Sequence, residues 1–430
     1  MMSPIAISAV VLLVLLFMNV PVFAAVLGAC IGYFIVNPEA GITGALAAQR
    51  VISGMQSIPI LAVPFFVASG VLMNYCGITE RMLDFCKVLT GHMTGGLAQV
   101  NIALSTLMGG MSGSSLADAA MEAKMLVPEM ERSGYGRGFS SAVTAASSII
   151  TPLIPPGIAA IIYGSITNTS IGKLFIAGVV PAVILCALMM IIVNVVSKKR
   201  GYPKLSDKMA SRGELWKSFK PAFLPLCLPF IIIGGIRFGI FTPTEAGAIA
   251  ILYALILGII YKELSAKHVV TCIKETVATT ASILLIVGAA TCFSWVLTWE
   301  NVPQNMTNLM IDICKNKYVF LLVINLFLLF VGMFIEATAA QIVLAPMLVP
   351  VAVAFGIDPV HFGMVFIFNM AIGSLTPPMG NLMFVVCGVT KCKTEEFIRA
   401  SVPFYILLFA MLLLLTYVPF LTTALPNLLY

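Results

Sequence analysis

The strongest constraint on this chain is a repeat in fixed register. Pro21 recurs as Pro243, 222 positions later. At that one offset Gly110-Met111 recurs as Gly332-Met333, and the tetrapeptide MLVP at 125–128 recurs at 347–350. Pro155-Pro156 recurs as Pro377-Pro378, Phe175-Ile176 as Phe397-Ile398, and Val180-Pro181 as Val402-Pro403. Chance matches of proline and glycine do not hold one register across nearly the whole of each half, so the chain is a duplication. It divides into residues 1–197 and 222–430, joined by a segment at 198–221.

Both halves consist of long apolar runs. Hydrophobic residues make up 60% of the 430 and charged residues only 10%, with mean hydropathy +1.05. Soluble domains carry roughly 45–50% and ~25% respectively, so a soluble domain is excluded and an all-α polytopic membrane protein remains. The net charge of +6 is confined to residues 198–221, where eight Lys and Arg face only Asp207 and Glu214. So small and so local a charge points to the bilayer and not to nucleic acid. The ten cysteines are scattered without a CxxC, which suits small apolar fillers better than a disulfide or zinc site. The first basic residue is Arg50, so the first apolar run lacks a charged leader and is expected to stay as a span.

A crossing needs about 20 residues at 1.5 Å each. The apolar stretches of the first half are 4–36, 51–74, 96–128, 139–168 and 174–197. The first is too long for one crossing and holds Asn19 and Pro21 near its middle, which predicts two short spans and a tight turn. Residues 96–128 are also too long, and their centre, LMGGMSGSSLADA, is too rich in Gly and Ser to face lipid. That pattern predicts a re-entrant hairpin, which membrane depth tolerates only where it is buried in protein or lines water. By the repeat, a second hairpin is expected at 318–350, and broken spans at 139–168 and 360–390. Residues 80–87 and 300–317, just ahead of the hairpins, are expected to form amphipathic surface helices.

Five crossings and one hairpin per half make an odd count, so the second half is inverted relative to the first. With residues 198–221 cytoplasmic, this arrangement puts 18 Lys and Arg inside and 4 outside, whereas four crossings per half give 14 and 8. Two inverted repeats are therefore expected, with both termini outside. A cysteine placed between Lys198 and Lys220 should resist an impermeant thiol reagent in intact cells. Labelling there, with none near Lys315, would overturn the arrangement.

Inverted repeats with interrupted helices at matching positions point to a secondary transporter with a midplane site. The interruptions come in two pairs: the hairpin tips at 109–115 and 332–338, and the segments TPLIPPG at 151–157 and SLTPPMG at 374–380. A Pro-Pro step removes two N–H donors and bars the preceding residue from the helix. Freed carbonyls beside Ser and Thr hydroxyls supply hard oxygen ligands for Na+, and the new helix N-termini favour a carboxylate. Glu336 sits at the second tip, where Ser114 is its counterpart in the first. It could hydrogen-bond a hydroxylated substrate, hold the cation or form a buried ion pair. Arg237 and Glu245 are expected to pair across a turn. Asp118 and Glu122, four apart and of like charge, are expected to face water or Lys124.

Two other classes compete with a transporter. Gly110-Met111-Ser112-Gly113 spells GxSG, the nucleophile setting of an intramembrane serine protease, but a base must lie within hydrogen-bond reach. The chain has three histidines, His92, His268 and His361, and all map to loops or span ends. An ion channel is the third class, and paired hairpins in duplicated halves favour alternating access over a fixed pore.

The motifs GGMSGSSLADAA, TAASSIITPLIPPG, GIFTPTEAGA and SLTPPMGNLMFV, in order and at ordinary spacing, give a specific resemblance. From about Pro4 to its end the chain resembles the large membrane subunit of tripartite ATP-independent periplasmic (TRAP) transporters, within the ion transporter superfamily. The resemblance implies an elevator-type transporter of the bacterial inner membrane. It further implies Na+-coupled uptake of an organic acid, of the sialic acid or C4-dicarboxylate class. The acid would be delivered by a periplasmic binding protein, and a separate small four-span subunit would pack on the scaffold. Na+ would be held by Ser112, Gly113, Ser114 and Ser115 with Pro155 and Gly157, and by Gly332 and Thr338 with Thr376, Pro377 and Met379. Substrate would meet Ser114, Ser115, Glu336 and Thr376. Glu336 stands where many members of the family carry Asp.

Overall fold

The computed structural model describes residues 3–18, 20–38 and 44–430, so Asn19 lies outside the described residues. Twenty α-helices and no strand are found among them. The first half opens with α1 (Pro4–Phe17), α2 (Val22–Val36), α3 (Gly44–Met55), α4 (Ala62–Tyr75) and α5 (Ile78–Thr90). It continues through the pair α6 (Gly96–Ser112) and α7 (Ser115–Arg132), then α8 (Arg137–Ser147), α9 (Ile158–Thr167) and α10 (Ile171–Arg200). The second half has α11 (Arg212–Arg237), α12 (Pro243–Ile260), α13 (Ala266–Trp299), α14 (Val302–Ile313), and the pair α15 (Lys317–Phe334) and α16 (Ala337–Ala354). It closes with α17 (Pro359–Leu375), α18 (Asn381–Thr390), α19 (Thr394–Tyr417) and α20 (Phe420–Leu429).

Eight helices or helical segments among the described residues are long and apolar enough to cross a membrane. The segment Arg137–Leu153 with α9 forms a ninth as a pair bent by 43°. The basic segment is irregular only at 201–211, because α10 runs on to Arg200 and α11 starts at Arg212. The Ser211 hydroxyl accepts from Glu214 N–H while the Glu214 carboxylate accepts from Ser211 N–H, a reciprocal cap that starts α11 inside the linker.

One expected span is two elements. Residues 51–74 break between α3 and α4, at a short 3-10 turn Ile58–Leu61 that carries Pro59. The repeat position of Pro59 is Ala281, and there α13 runs unbroken for 34 residues. The missing N–H and the ring clash at proline account for the difference. The long α13 serves as a central post against which α2, α3, α4 and α16 pack.

The two broken spans form the buried centre. Every residue of α17 from Val360 to Leu375 is buried, as is every residue of α8 from Phe139 to Ser147. α17 is apolar over most of its surface, as suits a helix enclosed by others, and its buried His361 and Asn369 are held by Thr422 and Asn325. It starts at Asp358, whose Oδ1 accepts from Val360 N at 2.7 Å and His361 N at 3.1 Å, with Pro359 in the first turn. It ends at Thr376, held extended ahead of Pro377.

Two charge expectations fail. Asp118 and Glu122 do not face water or Lys124, being 1% and 0% exposed. They turn inward because hydroxyls meet them there: Thr151 Oγ1 donates to Asp118 at 2.8 Å and Ser105 lies 2.6 Å from Glu122. Nor do Arg237 and Glu245 pair. The Glu245 carboxylate accepts from Thr242 N–H at 2.7 Å in a capping box, while the Arg237 guanidinium lies 5.2 Å from the Tyr430 ring centre.

Candidate functional site

The two helix pairs turn by different local means. α6 ends on Gly113 at φ +64°, a left-handed conformation that glycine adopts freely, and Ser114 caps α7 by accepting from Ala117 N at 3.4 Å. α15 ends on an extended Ile335, and Glu336 caps α16. Its two carboxylate oxygens accept from Thr338 N at 3.0 Å and Ala339 N at 2.8 Å. Among the described residues Glu336 makes no ion pair. It holds the turn, with its charge at the positive end of α16.

Each tip lies against a break. Ile158 N donates to Gly113 O at 3.4 Å, and a Cβ on Gly113 would stand 2.6 Å from Pro156 O. In the second half Gly332 and Gly373 touch backbone to backbone, a Cβ on Gly373 falling 2.7 Å from Gly332 Cα. Both Pro-Pro peptide bonds are cis.

Between the tips lies a cavity of about 390 Å3. Gly113, Ser114, Ser115 and Leu116 line it from the first tip, and Glu336, Thr338 and Gln341 from the second. Pro152 and Ile158 come from the first break, Met370, Ser374 and Asn381 from the second, and Thr279, Ser282, Ile283 and Ile286 from α13. Glu336 is the one charged residue in this lining. A wider hollow of about 560 Å3, bounded by Glu80, Asp84, Lys217 and Glu263, touches neither tip nor break.

The expected site residues thus divide into three groups. Gly113, Ser114, Ser115, Glu336 and Thr338 line the cavity. Ser112, Pro155, Gly157, Gly332 and Thr376 are buried behind it; the Ser112 hydroxyl accepts from Ser114 N at 3.4 Å, and Thr376 Oγ1 donates to Ile372 O at 2.8 Å. Pro377 is half-buried and Met379 is 55% exposed, both outside the cavity lining. Thr279, Ser282, Gln341 and Asn381 also line the cavity and lie outside the expected set. The cluster Thr276, Thr279, Thr280 and Ser282 in an otherwise apolar span was the available signal for α13. Gln341 spans the two halves, its amide donating to Ala159 O at 2.7 Å.

The sequence model of the DctM component of tripartite ATP-independent periplasmic transporters matches residues 9–421. The chain belongs to this family. It is 46% identical over 415 residues to a sialic acid TRAP transporter large permease, SiaM, of Vibrio cholerae, covering 96% of each chain. It is 40% identical to the sialic acid TRAP permease SiaT of Haemophilus influenzae, over 99% of this chain and 69% of that one. The C4-dicarboxylate large permease DctM of Pseudomonas aeruginosa is 36% identical over 86% of each. Among solved structures, the YdaH transporter of Alcanivorax borkumensis shares the fold, with TM-score 0.58 and 16% identity over 86% of this chain and 87% of that one.

This DctM-family chain is an inner-membrane permease and not an enzyme. Its GxSG is a hairpin tip, and His361, held by Thr422 Oγ1 at 2.8 Å and Thr416 O at 3.2 Å, serves the packing of α17.

Proposed function

We propose that this permease takes up a hydroxylated monocarboxylic acid of the sialic acid class, driven by Na+. The observation that carries the proposal is the cavity between the tips. Its volume of about 390 Å3 falls within the ~300–1,000 Å3 of small-molecule sites. The polar residues Ser114, Ser115, Thr279, Ser282, Gln341 and Asn381 line it, and among the described residues no Lys, Arg or His does. A C4-dicarboxylate would bring two negative charges to a wall whose one charge is Glu336. A polyhydroxylated acid brings one, which bound Na+ offsets. The identity to sialic acid permeases, 46% and 40% against 36% for the dicarboxylate permease, runs the same way.

Na+ would be held behind the first tip by Ser112, Gly113, Ser114 and Ser115 with the carbonyls of Pro155 and Gly157. At the second it would be held by Gly332 and Thr338 with Thr376, Pro377 and Met379. Oxygen donors suit a hard cation, and freed carbonyls at broken helices are where transporters bind it. The halves would be inverted and both termini periplasmic. The paired hairpins and broken spans would slide as an elevator past a scaffold built around α13, widened by a small four-span subunit. A periplasmic binding protein would deliver the acid.

The test is uptake of labelled sialic acid into proteoliposomes holding the permease, its small subunit and the binding protein. Uptake should require an inward Na+ gradient, resist competition by excess succinate, and fall sharply when either partner is left out. Undiminished uptake with K+ in place of Na+ would sink the coupling, and succinate competition at matched concentration would reassign the substrate.

A further inference from the structure

Glu122 lies on α7 one turn beyond Asp118, wholly buried, with no basic side chain paired to it among the described residues. It is held instead by a file of polar groups running from the first hairpin into α8. Glu122 Oε2 lies 2.6 Å from Ser105 Oγ, which lies 2.8 Å from Ser147 Oγ. Ser147 Oγ lies 2.8 Å from Asn101 Oδ1, and Asn101 Nδ2 lies 2.7 Å from Thr144 Oγ1. The file ends on the Ser140 carbonyl, 2.8 Å from Thr144 Oγ1.

These are five contacts, and each takes a hydrogen, while Ser147 Oγ has a second acceptor on its own helix, the Thr144 carbonyl at 3.0 Å. The hydroxyls of Ser105, Ser147 and Thr144 supply one each, the Asn101 amide supplies one, and the terminal carbonyl supplies none. Exchanging the oxygen and nitrogen of the Asn101 amide would move the unfilled contact to Thr144 and the Ser140 carbonyl; with Asn101 Nδ2 toward Thr144, where Thr144 Oγ1 keeps that carbonyl, the gap falls at Ser105 beside the carboxyl. One hydrogen is still missing, and the carboxyl is the remaining source. An ionised Glu122 would leave two oxygens facing each other without a hydrogen between them, and a buried charge with one oxygen, Oε1, that has no partner at all.

We propose that Glu122 is a proton-binding site, its carboxyl O–H donating to Ser105 and completing the chain that fastens the first hairpin to the first broken span. The titratable group acting on it is Asp118, already accepting from Thr151, and Glu122 in turn acts on the buried Cys86 thiol of α5. α6, α8 and residues 148–153 bring only hydroxyls and amides to this face, α18 has no charged residue, and Lys124 points away to the exposed side. Raising the pH removes the proton, strands a buried charge and opens one link, so the hairpin contact weakens as the medium turns alkaline. This holds whichever acid or cation is carried.

The direct measurement is infrared difference spectroscopy on the purified full chain in lipid, wild type against Glu122→Gln. A carboxylic C=O band present at neutral pH, missing from the variant and lost on alkaline titration is expected. Absence of any band specific to Glu122 overturns the proposal. If the glutamine variant does not accumulate, Ser105→Ala replaces it: deleting the acceptor must shift the band, and an unshifted band overturns the site. In the assembled transporter, wild-type uptake should drop several-fold on the alkaline side. Glu122→Gln, whose amide donates to Ser105 at any pH, should hold uptake level. Parallel alkaline loss in both would show that Glu122 does not set the pH response.

Discussion

Gly373→Val should cost the protein most of its transport and a measurable part of its stability. The new Cβ would stand 2.7 Å from Gly332 Cα, and Gly332 would in turn place a Cβ 3.0 Å from Gly373 Cα. Both neighbours are backbone, so no side chain can rotate away. α15 and α17 would have to separate, and α17 is enclosed on all sides. Forcing extra carbons into a packed interior costs about 1–3 kcal/mol. One or two kcal/mol changes a conformational ratio by a factor of roughly 5–30. An uptake loss on the order of tenfold is thus expected, together with a lower midpoint in a thermal unfolding scan of the purified chain. The first half packs in the same manner, with a Cβ on Gly109 falling 2.9 Å from Cα of Thr151, the repeat position of Gly373. Gly234→Ala is the control, since nothing lies within 4 Å of a Cβ there. An unfolding midpoint for Gly373→Val equal to that of the control would refute the close-contact account.

The second large effect is expected at Glu336, where one side chain does two jobs. It caps α16 through Thr338 N and Ala339 N, and among the described residues it is the only charged group lining the cavity. Glu336→Ala removes both functions, the cap alone being worth about 0.5–2 kcal/mol. Glu336→Ser restores a cap but not the charge, and Glu336→Asp keeps both. Uptake should therefore be nearly retained in the aspartate variant and reduced by roughly tenfold or more in the alanine variant, as expected when 1.4 kcal/mol corresponds to a factor of ten. The serine variant should recover the thermal stability lost in alanine without recovering uptake, and should need more Na+ for half-maximal rate. Full recovery of uptake by serine would reduce Glu336 to a cap.

Ser114, its repeat counterpart, caps α7 with a single bond of 3.4 Å. The two tips are thus equivalent in position and unequal in charge. Only the second tip can repel an anion, or attract a cation toward one.

The elements that the sequence determined are those fixed by local backbone chemistry. Proline and glycine set where the tips and breaks fall: Gly113 turns the first tip and Pro377 ends α17. These rules act within a few residues, through a missing N–H, a fixed φ or a left-handed turn, so a linear reading reaches them. Even here the reach is partial. Pro128, Pro181, Pro346, Pro350 and Pro403 all lie inside continuous helices, where packing from neighbours offsets the lost bond.

Tertiary structure alone decided which polar faces turn inward. Asp118 and Glu122 read as a water-facing pair because their partners are not local: Ser105 lies 17 residues from Glu122 and Thr151 lies 33 from Asp118. Thr279 and Ser282 became wall residues only because α13 flanks the cavity between the tips. The direction in which a side chain is buried depends on what packs over it. In a membrane chain, where apolar surface is everywhere, hydropathy carries almost no record of that choice.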